Sequence, residues 1–251
     1  MFPSTLPVGA PELMRVSDFR RYLQQQQDLL DRAERGQTRL SSLSPSLLQV
    51  LLRFERNGQG NDLLEVLAAA LRHGRNLLIH LGLDAHVVPL TVFPAERVAH
   101  CPLTSEQLLS ARLSALLVMQ VEPALLQPPG GRERTLIGEL ALYAPLGPLS
   151  WAMAMRGPRD TLLPELAGLA AYRVTAGADL SALDLGGTAA AAVARLRRES
   201  TNLREMAEWP GFDRERAMRL LNALYLQAAL IVSRTHPAAT NDGWRSHPPV
   251  P

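Results

Sequence analysis

Cys101 is the only cysteine in the chain and stands in the phrase AHCP, between His100 and Pro102. A thiol next to an imidazole is the raw material of a cysteine nucleophile, because the thiolate is the reactive form. Consecutive residues on a strand point to opposite faces, so this pair is badly placed for proton transfer. The expectation is a buried, inert thiol. One cysteine also excludes an intrachain disulfide and any CxxC zinc or iron–sulfur site. His73, His80, His86 and His100 lie near one another in sequence but without HExxH or a similar ligand spacing, and they read as scattered core or surface histidines. Ser150, in GPLSWAM, has Pro148 and Ala152 where a nucleophile elbow has glycines. Asp62 and Glu65 are close acids that suit the first turn of a helix.

All basic residues are Arg, and the absence of Lys removes the P-loop lysine, the kinase strand lysine and Schiff-base chemistry. DLGGT at 184–188 resembles the phosphate-loop phrase of sugar kinases and actin-like ATPases. In that family the phrase follows an N-terminal strand and opens a hairpin. Here it runs into an alanine-rich helix, and a turn followed by a helix start accounts for Gly186, Gly187 and Thr188. The expectation is a protein that is not an enzyme, with no catalytic residues, no metal and no cofactor.

At 251 residues the chain is long enough for two units with their own cores. Its formal net charge is only +2. The longest apolar runs, Ala189–Ala194 and Ala223–Val232, fall short of the roughly 18–20 residues that cross a bilayer. The start, MFPSTLPVGAPEL, has no basic segment leading into an apolar one, so a cytoplasmic location and no membrane association are expected.

Residues 1–16 read as a flexible lead-in, and a helical period begins at Ser17 with Phe19, Tyr22, Leu23, Leu29, Leu30 and Ala33. Residues 44–74 read as a helical hairpin. Ser44 or Ser46 caps its first helix, NGQGN breaks it, Asn61 or Asp62 caps the second and Gly74 ends it. Leu77–Leu81, Val87–Phe93, Arg97–Cys101 and Leu113–Val121 have the length and β-branched content of strands, with a short helix at Ser105–Ser110. The last of the four is also compatible with a helix. Residues 17–127 thus form a helical and small-sheet domain. PPGGRER at 128–134 reads as a linker, and 135–186 as a helical connector with helices at 135–143, 149–155 and 161–169 and a strand at 171–175. From residue 237 the composition is that of a disordered tail, in which Trp244 could serve as a docking residue.

The most specific pattern spans 187–236. A helix at Thr188–Arg198 is followed by Asn202, three residues before Glu205, which starts Leu203–Trp209 in a capping-box arrangement. Pro210-Gly211 ends that helix. Asp213 caps another whose Ala217, Leu220, Leu221, Leu224 and Ala228 make one buried stripe, and Leu230–Ser233 reads as a strand. This segment resembles the winged helix-turn-helix modules at the C-termini of many bacterial regulatory proteins. The wing is incomplete, since nothing after Ser233 offers a second strand. The fold class expected is α+β and predominantly helical: N-terminal helices with a small sheet, then a winged-helix-like three-helix module.

A DNA-reading helix puts its N-terminal residues between rails of phosphate. Here those residues include Asp213 and Glu215, which phosphate repels. The segment carries eight Arg against five acids, a net charge of +3. Two functions follow. One is a bacterial regulatory or adaptor protein that acts by contact with another protein, with Trp151, Trp209, Tyr225 and Leu226 as candidate anchors. The other is a DNA-binding transcriptional regulator, paired as a homodimer. In it Arg204, Arg214, Arg216 and Arg219 reach the duplex and Asn222 reads adenine.

Overall fold

The computed structural model describes residues 13–32 and 62–239. The expected lead-in up to residue 12, the first helix of the hairpin and the tail with Trp244 lie outside the described residues. The described chain is mixed α+β and divides into two compact units. One comprises the residues up to Leu149 together with Arg156–Pro158, and the other Ser150–Met155 together with the residues from Arg159 onward. Among the described residues no helix is long and apolar enough to cross a membrane.

The first unit is built on a five-stranded antiparallel sheet in the order β4-β1-β2-β3-β5. Its strands are β1 (Leu77–Leu83), β2 (His86–Phe93), β3 (Val98–His100), β4 (Leu117–Pro123) and β5 (Tyr143–Pro145). A two-residue turn with Asp84 at φ 52° closes the β1–β2 hairpin. Register puts Leu77, Ile79 and Leu81 opposite Val92, Leu90 and Val88, and all six are buried. Burying each such side chain is worth about 1.5–3 kcal/mol, so this face holds the sheet's register. Helix α1 (Val16–Arg32) crosses the other face, where Phe19 stacks on His80 with ring centroids 4.7 Å apart. Helix α2 (Leu63–His73) is capped by the Asp62 side chain, which accepts from Leu64 N at 2.8 Å, and stops at Gly74 in the left-handed conformation. The lead-in is shorter than expected, because Met14 O accepts from Val87 N and Val16 N donates to Ala85 O. Helix α3 (Ser105–Ser110) carries a full capping box between Thr104 and Gln107.

The fifth strand corrects the sequence reading of residues 135–143 as a helix. Two short 3-10 turns, Arg134–Leu136 and Leu140–Leu142, stand there instead, and Tyr143–Pro145 pairs with β3. Tyr143 decides this. Its hydroxyl donates to Gln127 O at 2.6 Å and accepts from Gly138 N at 3.0 Å, while its ring meets His100 edge-on at 4.8 Å. A Cβ on Gly138 would lie 2.5 Å from His100 Nε2, so a larger residue there would have to displace the His100 ring. Residues 128–134 are likewise no linker between units. Gln127 N bonds to Leu136 O, and the loop returns to its starting point inside the first unit.

Helix α4 (Leu146–Arg156) begins in the first unit, and its Ser150–Met155 belong to the second. The second unit continues with β6 (Ala171–Val174), α5 (Gly187–Arg198), α6 (Leu203–Ala207), α7 (Arg214–Leu226) and β7 (Leu230–Ser233). Gly187, in the DLGGT phrase, starts α5 with φ 54°. β6 and β7 pair antiparallel, and the other edge of β6 is met by Thr201, which exchanges two main-chain hydrogen bonds with Tyr172. A second strand beside Leu230–Ser233 therefore exists, and it comes from upstream of the three helices. The helix expected over 161–169 is absent, because Pro164 lacks an N–H and the segment's carbonyls are taken by distant side chains. Arg234 donates to Glu165 O, Ala167 O and Leu169 O. Pro237–Ala239, expected to open a disordered tail, forms a 3-10 turn with Ala239 buried.

Burial holds the His80 imidazole below the ordinary histidine range, although Glu122 Oε1 stands 3.6 Å from Nδ1. That carboxylate is itself well solvated, so desolvation of the ring wins. Burial lowers His100 too, with Glu139 pulling the other way. A histidine depressed in the folded state takes its proton first in the unfolded chain. Its contribution is therefore complete above the unfolded pKa and declines as pH falls below it. Lowering pH from about 7.5 to about 5 is expected to lower the Tm continuously, and His80→Gln and His100→Gln to flatten that slope. Calorimetry of wild type and variants checks this, and equal slopes would exclude these two histidines as its source.

Candidate interaction surface

The three helices of the second unit are held by local caps and by one tight turn. Asn202 Oδ1 accepts from Glu205 N at 2.9 Å to start α6. The Glu205 carboxylate turns to the Thr201 hydroxyl at 2.6 Å. Asp213 Oδ1 accepts from Arg216 N at 2.7 Å to start α7. Between them, Gly211 has φ 76°, and a Cβ there would lie 2.6 Å from Thr188 Cγ2 on α5. Glycine is needed both for that backbone conformation and for the close approach. Trp209 is buried beside it, with its ring beneath the Arg195 guanidinium at 4.5 Å. The turn that would present α7 to a ligand is thus clamped on α5.

On the exposed side, α6 and the first turns of α7 pair their charges internally. Arg216 lies 3.8 Å from Asp213, Arg219 2.9 Å from Glu215 and Arg204 4.0 Å from Glu208. Each of these acids sits within one helical turn of its arginine, and exposed pairs of this kind contribute at most about 1 kcal/mol each. Their larger effect is on the field outside the protein. The leading residues of α7, Asp213, Arg214, Glu215 and Arg216, are all exposed and carry two charges of each sign. No uniform positive stripe forms along this edge.

Asn222, taken from the sequence as a reader of adenine, is inside the protein. It is 1 % exposed; its Oδ1 accepts from Leu163 N at 2.9 Å and its Nδ2 donates to Thr161 O at 2.8 Å. It stands on α7 less than one turn beyond Arg219, but the face it occupies is the one covered by residues 161–163. Of the candidate anchors, Trp151, Trp209 and Leu226 are buried, and Tyr225 is half-buried. Ala228 lies beyond the end of α7, exposed and at φ 55°, so it is not part of the buried stripe. Arg204, Arg214 and Arg216 do lie exposed, and Arg219 is mostly covered. Leu169 and Ile231, which sequence reasoning passed over, are the large apolar side chains left exposed among the described residues of this unit, at 52 % and 50 %. The only signal for Ile231 was strand alternation within LIVS.

Elsewhere the candidate chemistry is dispersed. Burial pushes the Cys101 thiol up to about 11, opposed by a hydrogen bond from the Leu103 backbone. Ser150 is buried, and its Oγ accepts from Gln227 Nε2 at 3.1 Å. Among the described residues no group of three or more His, Cys, Asp or Glu is arranged to hold a metal ion. No protein family, no curated protein and no solved structure matches this chain.

Asn222→Ala would strand the buried Leu163 N–H and leave Thr161 O to Arg159 alone, and a loss of about 1–3 kcal/mol is expected in denaturant unfolding. Asn222→Ala with unchanged stability would show that water replaces the amide. Cys101 in the folded protein is expected to resist a thiol-specific reagent at neutral pH and to react promptly once the chain is unfolded. Equal rates in both states would mean the thiol is accessible.

Proposed function

We propose that this is a non-enzymatic regulatory or adaptor protein, of bacterial type, that works in the cytoplasm by binding another protein, and that its second unit is a winged-helix-like module. The module reading is supported by the order of α5, Thr201, α6, α7 and β7, with β6 standing where a second wing strand would be. In this reading the wing borrows its second strand from upstream of the helices.

The observation that carries the protein-binding reading is the internal neutralisation of α6 and α7. A duplex is a dense polyanion, and affinity for it comes chiefly from cations that displace its counterions. Arg204, Arg216 and Arg219 each face an acid of their own helix, and Asn222 has no free hydrogen-bonding group for a base edge. A mixed-charge surface with isolated apolar side chains suits another folded protein, where charges set register and apolar groups supply affinity. Leu169 takes over the anchoring role that the buried tryptophans cannot fill.

The test is a fluorescence titration of the whole chain against random-sequence duplex at low salt. No saturable binding is expected. Binding that weakens steeply with added salt would establish the DNA-regulator function instead. A protein recovered with the chain from its own cells should be lost on Leu169→Asp while the thermal unfolding of the chain is preserved. Retention of that protein by the folded variant would remove Leu169 from the interface.

A further inference from the structure

Among the described residues, three strands have a strand partner on one side only: β4 and β5 in the larger sheet and β7 in the smaller. An open edge invites another strand, and proteins blunt such edges with proline, charge or bulges. β4 has an irregular register opposite His80 and Leu81 and ends in Pro123. β5 is three residues long and ends in Pro145. β7 reads Leu-Ile-Val-Ser, with no charge, no proline, no glycine and an unbroken register against β6.

The hydrogen-bond parity of β7 can be read from its neighbours. Thr175 N donates to Ala229 O, so the pairs bonded across the β6–β7 ladder are 229 with 175, 231 with 173 and 233 with 171. The same parity makes Tyr172 face away from β7, where it meets Thr201. By alternation, the N–H and C=O of Leu230 and of Val232 point outward from β7. Midway between them, Ile231 stands 50 % exposed.

We infer that two copies of this chain associate through β7, antiparallel about a twofold axis between the two Ile231 residues, to give a continuous four-stranded sheet β6-β7-β7-β6. A second copy of the same edge fits this spacing. Two outward-facing residues, two positions apart, form a self-complementary set. A twofold axis through Ile231 places Leu230 of one protomer opposite Val232 of the other, and all four main-chain groups of each edge find a partner. It also lays Ile231 directly against its own copy in a non-hydrogen-bonded pair, with Cα atoms about 4.5 Å apart, the closest cross-strand position in a sheet. Both ends of β7 limit the contact to a strand of its own length. Ala228 at φ 55° redirects the chain at one end, and His236 N bonds back to Ser233 Oγ at the other. Such a contact is small, so the dimer forms with rising protein concentration. It is independent of whether the second unit binds a further protein.

The experiment uses the full chain. Sedimentation velocity across a concentration series is expected to show a monomer–dimer equilibrium, shifted to monomer by Ile231→Lys, a substitution at an exposed position that keeps the thermal unfolding profile. Under mild oxidation Ile231→Cys is expected to cross-link into a covalent dimer. Arg173→Cys, on the neighbouring strand with its Cα about 15 Å from its mate, is not. Wild type that stays monomeric throughout the series would overturn the inference. So would a dimer unaffected by Ile231→Lys, or equal cross-linking of the two cysteine variants.

Discussion

The second unit depends on one constraint: the backbone from Thr161 to Val174 must satisfy its polar groups, several of them buried, without a helix of its own. Pro164 removes one donor and Gly168, at φ 90°, takes the chain out of the helical region. The missing partners arrive from far along the sequence. Asn222 serves Thr161 and Leu163, Arg234 serves Glu165, Ala167 and Leu169, Thr201 serves Tyr172, and β7 serves the strand. Tyr172 closes the loop with its buried hydroxyl, which donates to Leu166 O at 2.7 Å. Unpaired buried groups are costly, so the upstream segment and the three helices form one packed body.

That sewing-together has a consequence at the surface. Once Asn222 is committed to the segment it holds, the buried face of α7 is settled, and what remains outside is a run of alternating acids and arginines. The same residues that give α7 its cap and its first-turn pairs also cancel its outward charge. A helix stabilised by its own ion pairs has few spare cations for a polyanion. The proposed role in protein contact therefore grows from the way the helix is stabilised.

Local signals in the sequence were a good guide wherever a few neighbouring residues decide the outcome. The cap at Asp62 and the stop at Gly74 frame α2 as expected, because both act within one turn. Asn202 and Asp213 start α6 and α7 for the same reason. β1, β2, β3 and α3 were legible from alternation and turn residues. Tyr143–Pro145 was not, since its strand character comes from pairing with β3 and from a hydroxyl held by Gln127. Residues 161–169 misled because an apolar spacing of three and four cannot reveal an asparagine about sixty residues away that competes for the backbone.

By itself, then, the sequence determined the chemistry this chain lacks the residues for, the positions of its capped helices and the near balance of charge along the last of them. These follow from residue types and from interactions spanning four positions or fewer. Tertiary structure decided which face of α7 is inside, that the partner of β7 comes from upstream, and that Ile231 is left in solvent while Trp151 and Trp209 are not. Those outcomes rest on main-chain groups finding partners across long stretches of chain, and no local pattern encodes which partner will be within reach.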